Sequence, residues 1–170
     1  METSTLKLYV LDYKSVKTYG IAAAFVVGNI LLPQLCHIIP QGGFILLPIY
    51  FFTLVGAYKY GWKVGLLTAL FSPLVNHVLF GMPPLAVLPA ILLKSTLLAV
   101  SAGLAAQYFK RISIPIMLLV VLAYQVIGTL GEWLLTGSFS LAIQDFRIGI
   151  PGMLIQVFLG YGVIRYLMKK

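Results

Sequence analysis

Six polar or ionisable side chains interrupt otherwise apolar stretches of this 170-residue chain. They bring amide, imidazole, ammonium and carboxylate groups, which donate and accept hydrogen bonds and carry charge. Such groups are costly in a membrane and persist there when they pair with one another or bind a polar ligand. The residues are Asn76, His77, Lys94, Gln125, Glu132 and Gln156, and Trp133 adjoins Glu132.

The same residues give little indication of catalysis or metal binding. There is no Gly-x-Ser-x-Gly motif, no paired membrane carboxylates for hydrolysis and no P-loop, so we expect neither an enzyme nor an ATPase. Cys36 is the single cysteine, which excludes an internal disulfide. His37 and His77 lie on different loops or spans with no tight carboxylate cluster beside them, so no metal or cofactor is predicted.

The composition places the chain in the membrane. Hydrophobic residues make up 61% and charged residues 9%, and the mean hydropathy is +1.01. A soluble domain of this size does not need so much apolar surface. The net charge of +8 follows from basic residues that bracket the apolar runs, so no nucleic acid partner is expected. We predict one integral membrane domain, residues 1–170, in the cytoplasmic (inner) cell membrane.

Six apolar segments predict an all-α membrane protein, a six-transmembrane-helix bundle. Proline and glycine turns at 40–43 and 81–84 and basic turns at 59–63 and 110–111 separate the segments. The second segment is short for a spanning helix. The predicted spans are 19–35, 44–58, 64–80, 85–107, 112–135 and 150–168.

Basic residues orient this bundle. With both termini cytoplasmic, ten of the twelve lysines and arginines fall on the cytoplasmic side, as the positive-inside rule requires. The two exceptions are Lys94, within the fourth span, and Arg147, in the last outer loop. The ten are Lys7, Lys14, Lys17, Lys59, Lys63, Lys110, Arg111, Arg165, Lys169 and Lys170.

Counting residues along each helix places the polar side chains at similar depths. At 1.5 Å per residue, Asn76 lies roughly 20 Å above the Lys63 turn, in the outer half of the bilayer, and Gln125 lies at a similar height. Glu132 lies two turns beyond Gln125 on the same helix face, with Gly128 leaving room between them. This convergence favours an outward-facing pocket for a small polar molecule. The alternative is structural pairing of each polar group with a neighbouring helix or backbone.

Two further features bear on function. Gln144, Asp145 and Arg147 lie in the only long outer loop, which is either a cap over the pocket or an ordinary solvated loop. Gly20, Ala24 and Gly28 recur every four residues on the first span, which lets another helix approach closely. That helix belongs either to a partner protein or to the same chain.

In size, span number and orientation, the chain resembles the substrate-binding S component of an energy-coupling factor (ECF) vitamin transporter. The Gly20/Ala24/Gly28 stripe, SPLVNHVLFGMPP at 72–84 and LPAILLKSTLLA at 88–99 carry the resemblance. It implies that a vitamin or precursor binds from outside and that Gly20, Ala24 and Gly28 dock onto a membrane T component driven by two cytoplasmic ATPases. It also implies a pocket lined by Asn76, His77, Lys94, Gln125, Glu132, Trp133 and Gln156.

Glu132 and Trp133 suit a cationic or amine-bearing ring and Lys94 suits an anionic or carbonyl group, so a pyrimidine- or pyridine-type precursor is the predicted ligand. Two other functions compete with vitamin transport. Rod-shape-determining membrane scaffolds have similar length and span number, and they would use the stripe for a protein partner. A facilitator that works without any partner is the third alternative.

Overall fold

The computed structural model describes residue 8 and residues 10–169, and every regular element in that part of the chain is helical. Five of the helices are long and apolar enough to cross a membrane: α1, α4, α5, α6 and α9 as defined below. The chain is therefore an all-helical, multi-pass membrane protein. In chain order the helices are α1 (Val16–Cys36), α2 (Gly42–Leu46), α3 (Phe51–Tyr60), α4 (Trp62–Phe80), α5 (Leu88–Phe109), α6 (Ile114–Thr136), α7 (Phe139–Ala142), α8 (Gln144–Ile148) and α9 (Ile150–Lys169).

The five long helices match five of the predicted spans to within three residues at each end. Their ends follow local chemistry. Helix α4 is followed by Gly81, which adopts a left-handed conformation with φ 67° that glycine tolerates best. Helix α6 begins after Ser113, whose hydroxyl accepts a hydrogen bond from the Ile116 amide, and it is followed by Gly137 with the same left-handed φ.

The predicted span 44–58 is broken rather than continuous. Leu47 has a positive φ of 48° and ends α2, and a 3₁₀ turn, Pro48–Tyr50, then leads into the ten-residue α3. Proline explains the break, because it disfavours the right-handed helical conformation at the residue before it and cannot continue the hydrogen-bond ladder. Residues 53–59 are all buried. Helix α3 is thus an internal element enclosed by the longer helices.

Helix α5 lies at the centre of the bundle and packs against α3, α4 and α6. Two glycines permit close packing near the turn between α3 and α4. A Cβ added at Gly65 would overlap Ala57, and one added at Gly103 would overlap Trp62. The core therefore depends on small residues as well as large apolar ones.

The predicted basic turns gather at one end of the bundle. Asp12, just before α1, pairs with Lys63 at the start of α4, with 2.8 Å between Oδ1 and Nζ. The Tyr58 hydroxyl donates to the Arg111 carbonyl oxygen at 2.6 Å, which places the turn between α5 and α6 at the same end. Two further basic residues lie outside the described residues: Lys7 and Lys170.

Candidate ligand-binding site

A cavity of about 160 Å³ lies at the end of the bundle opposite the basic turns. Its walls come from the C-terminal ends of α1, α4 and α6, the start of α5, the broken segment 42–50 and the segment that holds α7 and α8. Most of the lining is apolar and rigid. It includes Phe44, Tyr50, Pro33, Pro48, Pro83 and Pro84.

Lys94 on α5 lies at the wall of this cavity and pairs with two carboxylates. Its Nζ is 2.5 Å from Oε2 of Glu132 and 2.8 Å from Oδ2 of Asp145. The Lys94 side chain is 3% exposed, and the two acidic side chains are 13% and 15% exposed. We call these three residues the charged triad. Partly desolvated charges of this kind are stabilised only while their partners remain in place.

Helix α6 makes room for the triad. Gly128 lies one turn before Glu132, and a Cβ added there would come within 2.6 Å of the Lys94 Cγ. The glycine therefore allows the lysine stem to lie against α6 and direct its ammonium group towards Glu132. The sequence predicted this open space at Gly128, but it did not predict the pairing of Lys94 with either carboxylate.

The segment between α6 and α9 contributes one member of the triad. Gln144 and Asp145, at the start of α8, both line the cavity. Arg147 is exposed and is not part of the cavity wall. The long loop predicted between the last two spans thus brings two of its three singled-out residues to the cavity.

Asn76 is 2% exposed and lines the same cavity. Its Nδ2 donates to the backbone carbonyl oxygens of Asn29 and Ser72, each at 3.0 Å. These bonds are the structural pairing that the sequence offered as an alternative to ligand binding. The Oδ1 atom has no hydrogen-bond donor among the described residues. Asn76 is therefore anchored through its nitrogen and retains a free acceptor.

Asn29 organises the wall behind Asn76 and was not singled out from the sequence. Its Nδ2 donates to the hydroxyl oxygens of Thr53 and Ser72, each at 3.1 Å, and its Oδ1 accepts from the Phe52 amide at 3.1 Å. The bonds join α1, α3 and α4. The available signal was an amide in the middle of the apolar first span, because a buried amide in a membrane requires partners.

Gln125 and Gln156 form a separate polar group inside the bundle. The Tyr124 hydroxyl donates to Oε1 of Gln156 at 2.8 Å and accepts from Nε2 of Gln125 at 3.2 Å. Neither glutamine lines the cavity. The Tyr124 ring packs against Tyr50, with centroids 5.6 Å apart, and Tyr50 is part of the cavity wall. The two predicted glutamines therefore support the cavity from behind.

His77 and Trp133 lie away from the cavity wall. The His77 Nδ1 is 2.8 Å from the Pro83 carbonyl oxygen, a contact that holds the turn after α4. Trp133 is 44% exposed and packs edge-on against Phe139, with ring centroids 5.3 Å apart. Successive residues on a helix point about 100° apart. His77 therefore points in a different direction from Asn76, and Trp133 in a different direction from Glu132.

The small-residue stripe on α1 is divided between two environments. Gly20 and Ala24 are exposed, and a Cβ added at Gly20 would meet no atom within 4 Å. Gly28 faces the bundle, because a Cβ there would come within 2.8 Å of the Phe52 ring. The stripe therefore offers its first two positions to the surroundings and uses the third for internal packing.

The arrangement as a whole can hold a small molecule by charge, hydrogen bonds and apolar contact. Among the described residues no group of three histidine, cysteine, aspartate or glutamate side chains could hold a metal ion. Comparison of the chain with protein-family models, curated proteins and solved structures finds no match.

Proposed function

We propose that the protein binds a small water-soluble molecule, of the vitamin or vitamin-precursor class, in the cavity beside the charged triad. The observation that carries the proposal is the set of one buried lysine, Lys94, and two largely buried acids, Glu132 and Asp145, at the wall of a mostly apolar cavity. Intramembrane charges are rare and usually mark substrate or ion pathways. The cavity is smaller than the roughly 300–1,000 Å³ of pockets for drug-sized ligands, which favours a single small ring.

We propose that the protein lies in the cell membrane as a bundle with six spans. Both termini are cytoplasmic, and the cavity faces the outside of the cell. The concentration of basic residues at the end opposite the cavity supports this orientation. Single cysteines in a Cys36→Ser background test it. A membrane-impermeant maleimide should label Ile38→Cys in intact cells, and it should label Lys110→Cys only after permeabilisation. The opposite labelling pattern would invert the orientation.

Binding is tested on the purified protein. Mass spectrometry of small molecules released on denaturation should identify a bound compound, and isothermal titration should measure its affinity. Glu132→Gln and Asn76→Ala should each weaken binding, because each alters a polar group at the cavity wall. Gln107→Ala, at the opposite end of α5, is the matched amide control. Unchanged affinity in both cavity variants would refute the proposed site.

We further propose that the bound molecule is delivered through an ATP-driven ECF transporter, with α1 docking onto a membrane T component and two cytoplasmic ATPases supplying energy. The exposure of Gly20 and Ala24 supports this use of α1. Ala24→Leu should abolish co-purification with the T component and spare ligand binding, since Ala24 does not line the cavity. Co-purification that survives this change would refute docking through the stripe. Uptake by proteoliposomes without any partner would instead favour a self-sufficient facilitator.

A further inference from the structure

We infer that the ligand of this cavity is a small organic monocation with a flat apolar body; the inference rests on the proposed binding function. The charged residues at the cavity wall are one lysine and two acids. With histidine counted as neutral, the wall carries a formal charge of −1. A charge of this kind in an apolar setting is stabilised by a cation brought close to it.

Lys94 is not available to a negatively charged ligand. Its ammonium group is already shared between Glu132 and Asp145, at 2.5 and 2.8 Å. An anion that approached Lys94 would also approach both carboxylates, and like charges at short range repel strongly in a low dielectric. The triad therefore disfavours an anion even though it contains a lysine.

Three acceptor atoms of the wall have no partner among the described residues. Glu132 bonds to Lys94 through Oε2 and Asp145 through Oδ2, and the described residues provide no donor for the second oxygen of either carboxylate. Asn76, which is 2% exposed, likewise retains an unpartnered Oδ1. A ligand with N–H donors on or beside a positive charge satisfies all three, because hydrogen bonds to charged groups are the stronger kind.

The remaining wall specifies the body of the ligand. Phe44, Tyr50 and Leu47 present apolar surface to the cavity, and several proline rings add rigid walls. Aromatic faces also attract cations, by about 0.5–2 kcal/mol. A flat ring that carries an amine, an amidine or a ring nitrogen with a positive charge has both required features.

The test compares three probes that share one ring and differ in charge: benzylammonium, benzyl alcohol and benzoate. Isothermal titration into the purified full-length protein should show benzylammonium binding at least about tenfold more tightly than benzyl alcohol, which is the lower end of the contribution of one hydrogen bond to a charged group. Benzoate should bind more weakly than both. A tightest affinity for benzoate, or equal affinities for all three, would overturn the inference.

Charge-neutralising variants show whether the triad is the cause. Glu132→Gln and Asp145→Asn each bring the wall to a formal charge of zero, and each should reduce the preference for benzylammonium to less than about threefold, since the remaining ion pair is neutral overall. Asp12→Asn removes the same charge from an exposed carboxylate at the other end of the bundle and should leave the preference unchanged. Both cavity variants are made because either one, if it folds, is enough to test whether the triad causes the preference.

The failure of this inference differs from failure of the proposed function. If a neutral or anionic molecule is released from the purified protein and its binding depends on Glu132 and Asn76, the binding function stands and the cationic ligand class is refuted. If no molecule is released and none of the three probes binds, both are refuted.

Discussion

Replacing Lys94 with methionine is expected to destabilise the protein far more than the same replacement at Lys63. The two lysines allow a matched comparison, because each lies 2.8 Å from an aspartate oxygen. Their environments differ. Lys94 is 3% exposed and Asp145 is 15% exposed, whereas the corresponding values are 23% for Lys63 and 60% for Asp12. Methionine retains most of the lysine stem, so the change removes mainly the charge.

The expected losses follow from this burial. Removing one partner of a buried ion pair leaves an uncompensated charge and costs about 3–5 kcal/mol. Lys94→Met leaves two carboxylates without their shared cation, so we expect a loss in this range. An exposed pair is screened by solvent and contributes little, so Lys63→Met should cost much less than Lys94→Met. The ammonium of Lys63 also lies 5.2 Å from the Tyr13 ring centroid. Lys63→Met is a demanding control because it removes this cation–π contact as well as the ion pair.

The free energies of unfolding can be measured by denaturant titration in detergent micelles, with helix content followed by circular dichroism. A third protein, Lys94→Met combined with Glu132→Gln and Asp145→Asn, separates charge from packing. It should regain most of the lost stability, because neutral side chains replace the stranded carboxylates. Equal losses at positions 94 and 63 would refute the reasoning. So would a triple variant that is no more stable than Lys94→Met alone.

Two other predictions concern a buried amide behind the cavity wall and the ion pair at the opposite end of the bundle. Asn29→Ala removes three side-chain hydrogen bonds, and each such bond inside a membrane contributes about 0.6–1.7 kcal/mol, so the free energy of unfolding should fall by about 2–5 kcal/mol. Ser101→Ala is the control, because the Ser101 hydroxyl bonds only within its own helix, and it should change the free energy of unfolding little. The hydrogen bond that Lys63 donates to the Asp12 carboxylate is the main reason why the pKa of that group lies below its usual value of 3.8. The stability from this pair is therefore present above that pH and is lost as the pH falls through the lower folded-state pKa, so the difference in melting temperature between wild type and Asp12→Asn should vanish in that acidic range.

The membrane class and five long helices could be predicted from the sequence, because hydropathy and helix ends are local properties. An apolar stretch of about 20 residues spans a bilayer whatever its neighbours are. Gly81 and Gly137 follow α4 and α6 in left-handed conformations, and both glycines can be read from the sequence. The segment 44–58 was less predictable. It was predicted as one span although it contains Pro48, and the burial of α3 depends on the helices around it.

The depth of the polar residues was also predictable, and their direction was not. Asn76, Lys94 and Glu132 meet at one cavity, whereas Gln125 and Gln156 pair behind it through Tyr124. Depth follows from counting residues along a helix. The direction of each side chain depends on how its helix is rotated against the others.

The sequence by itself determined that this is an apolar helical protein, with basic residues at the ends of its helices and polar groups at matched positions along them. The tertiary structure alone decided which of those groups meet. Lys94 and Asp145 are 51 residues apart in the chain, and no periodicity relates them. Their contact exists because α5 packs against α6 and because the segment after α6 turns back over the cavity. A buried charge selects its partner from whatever the packing brings within reach.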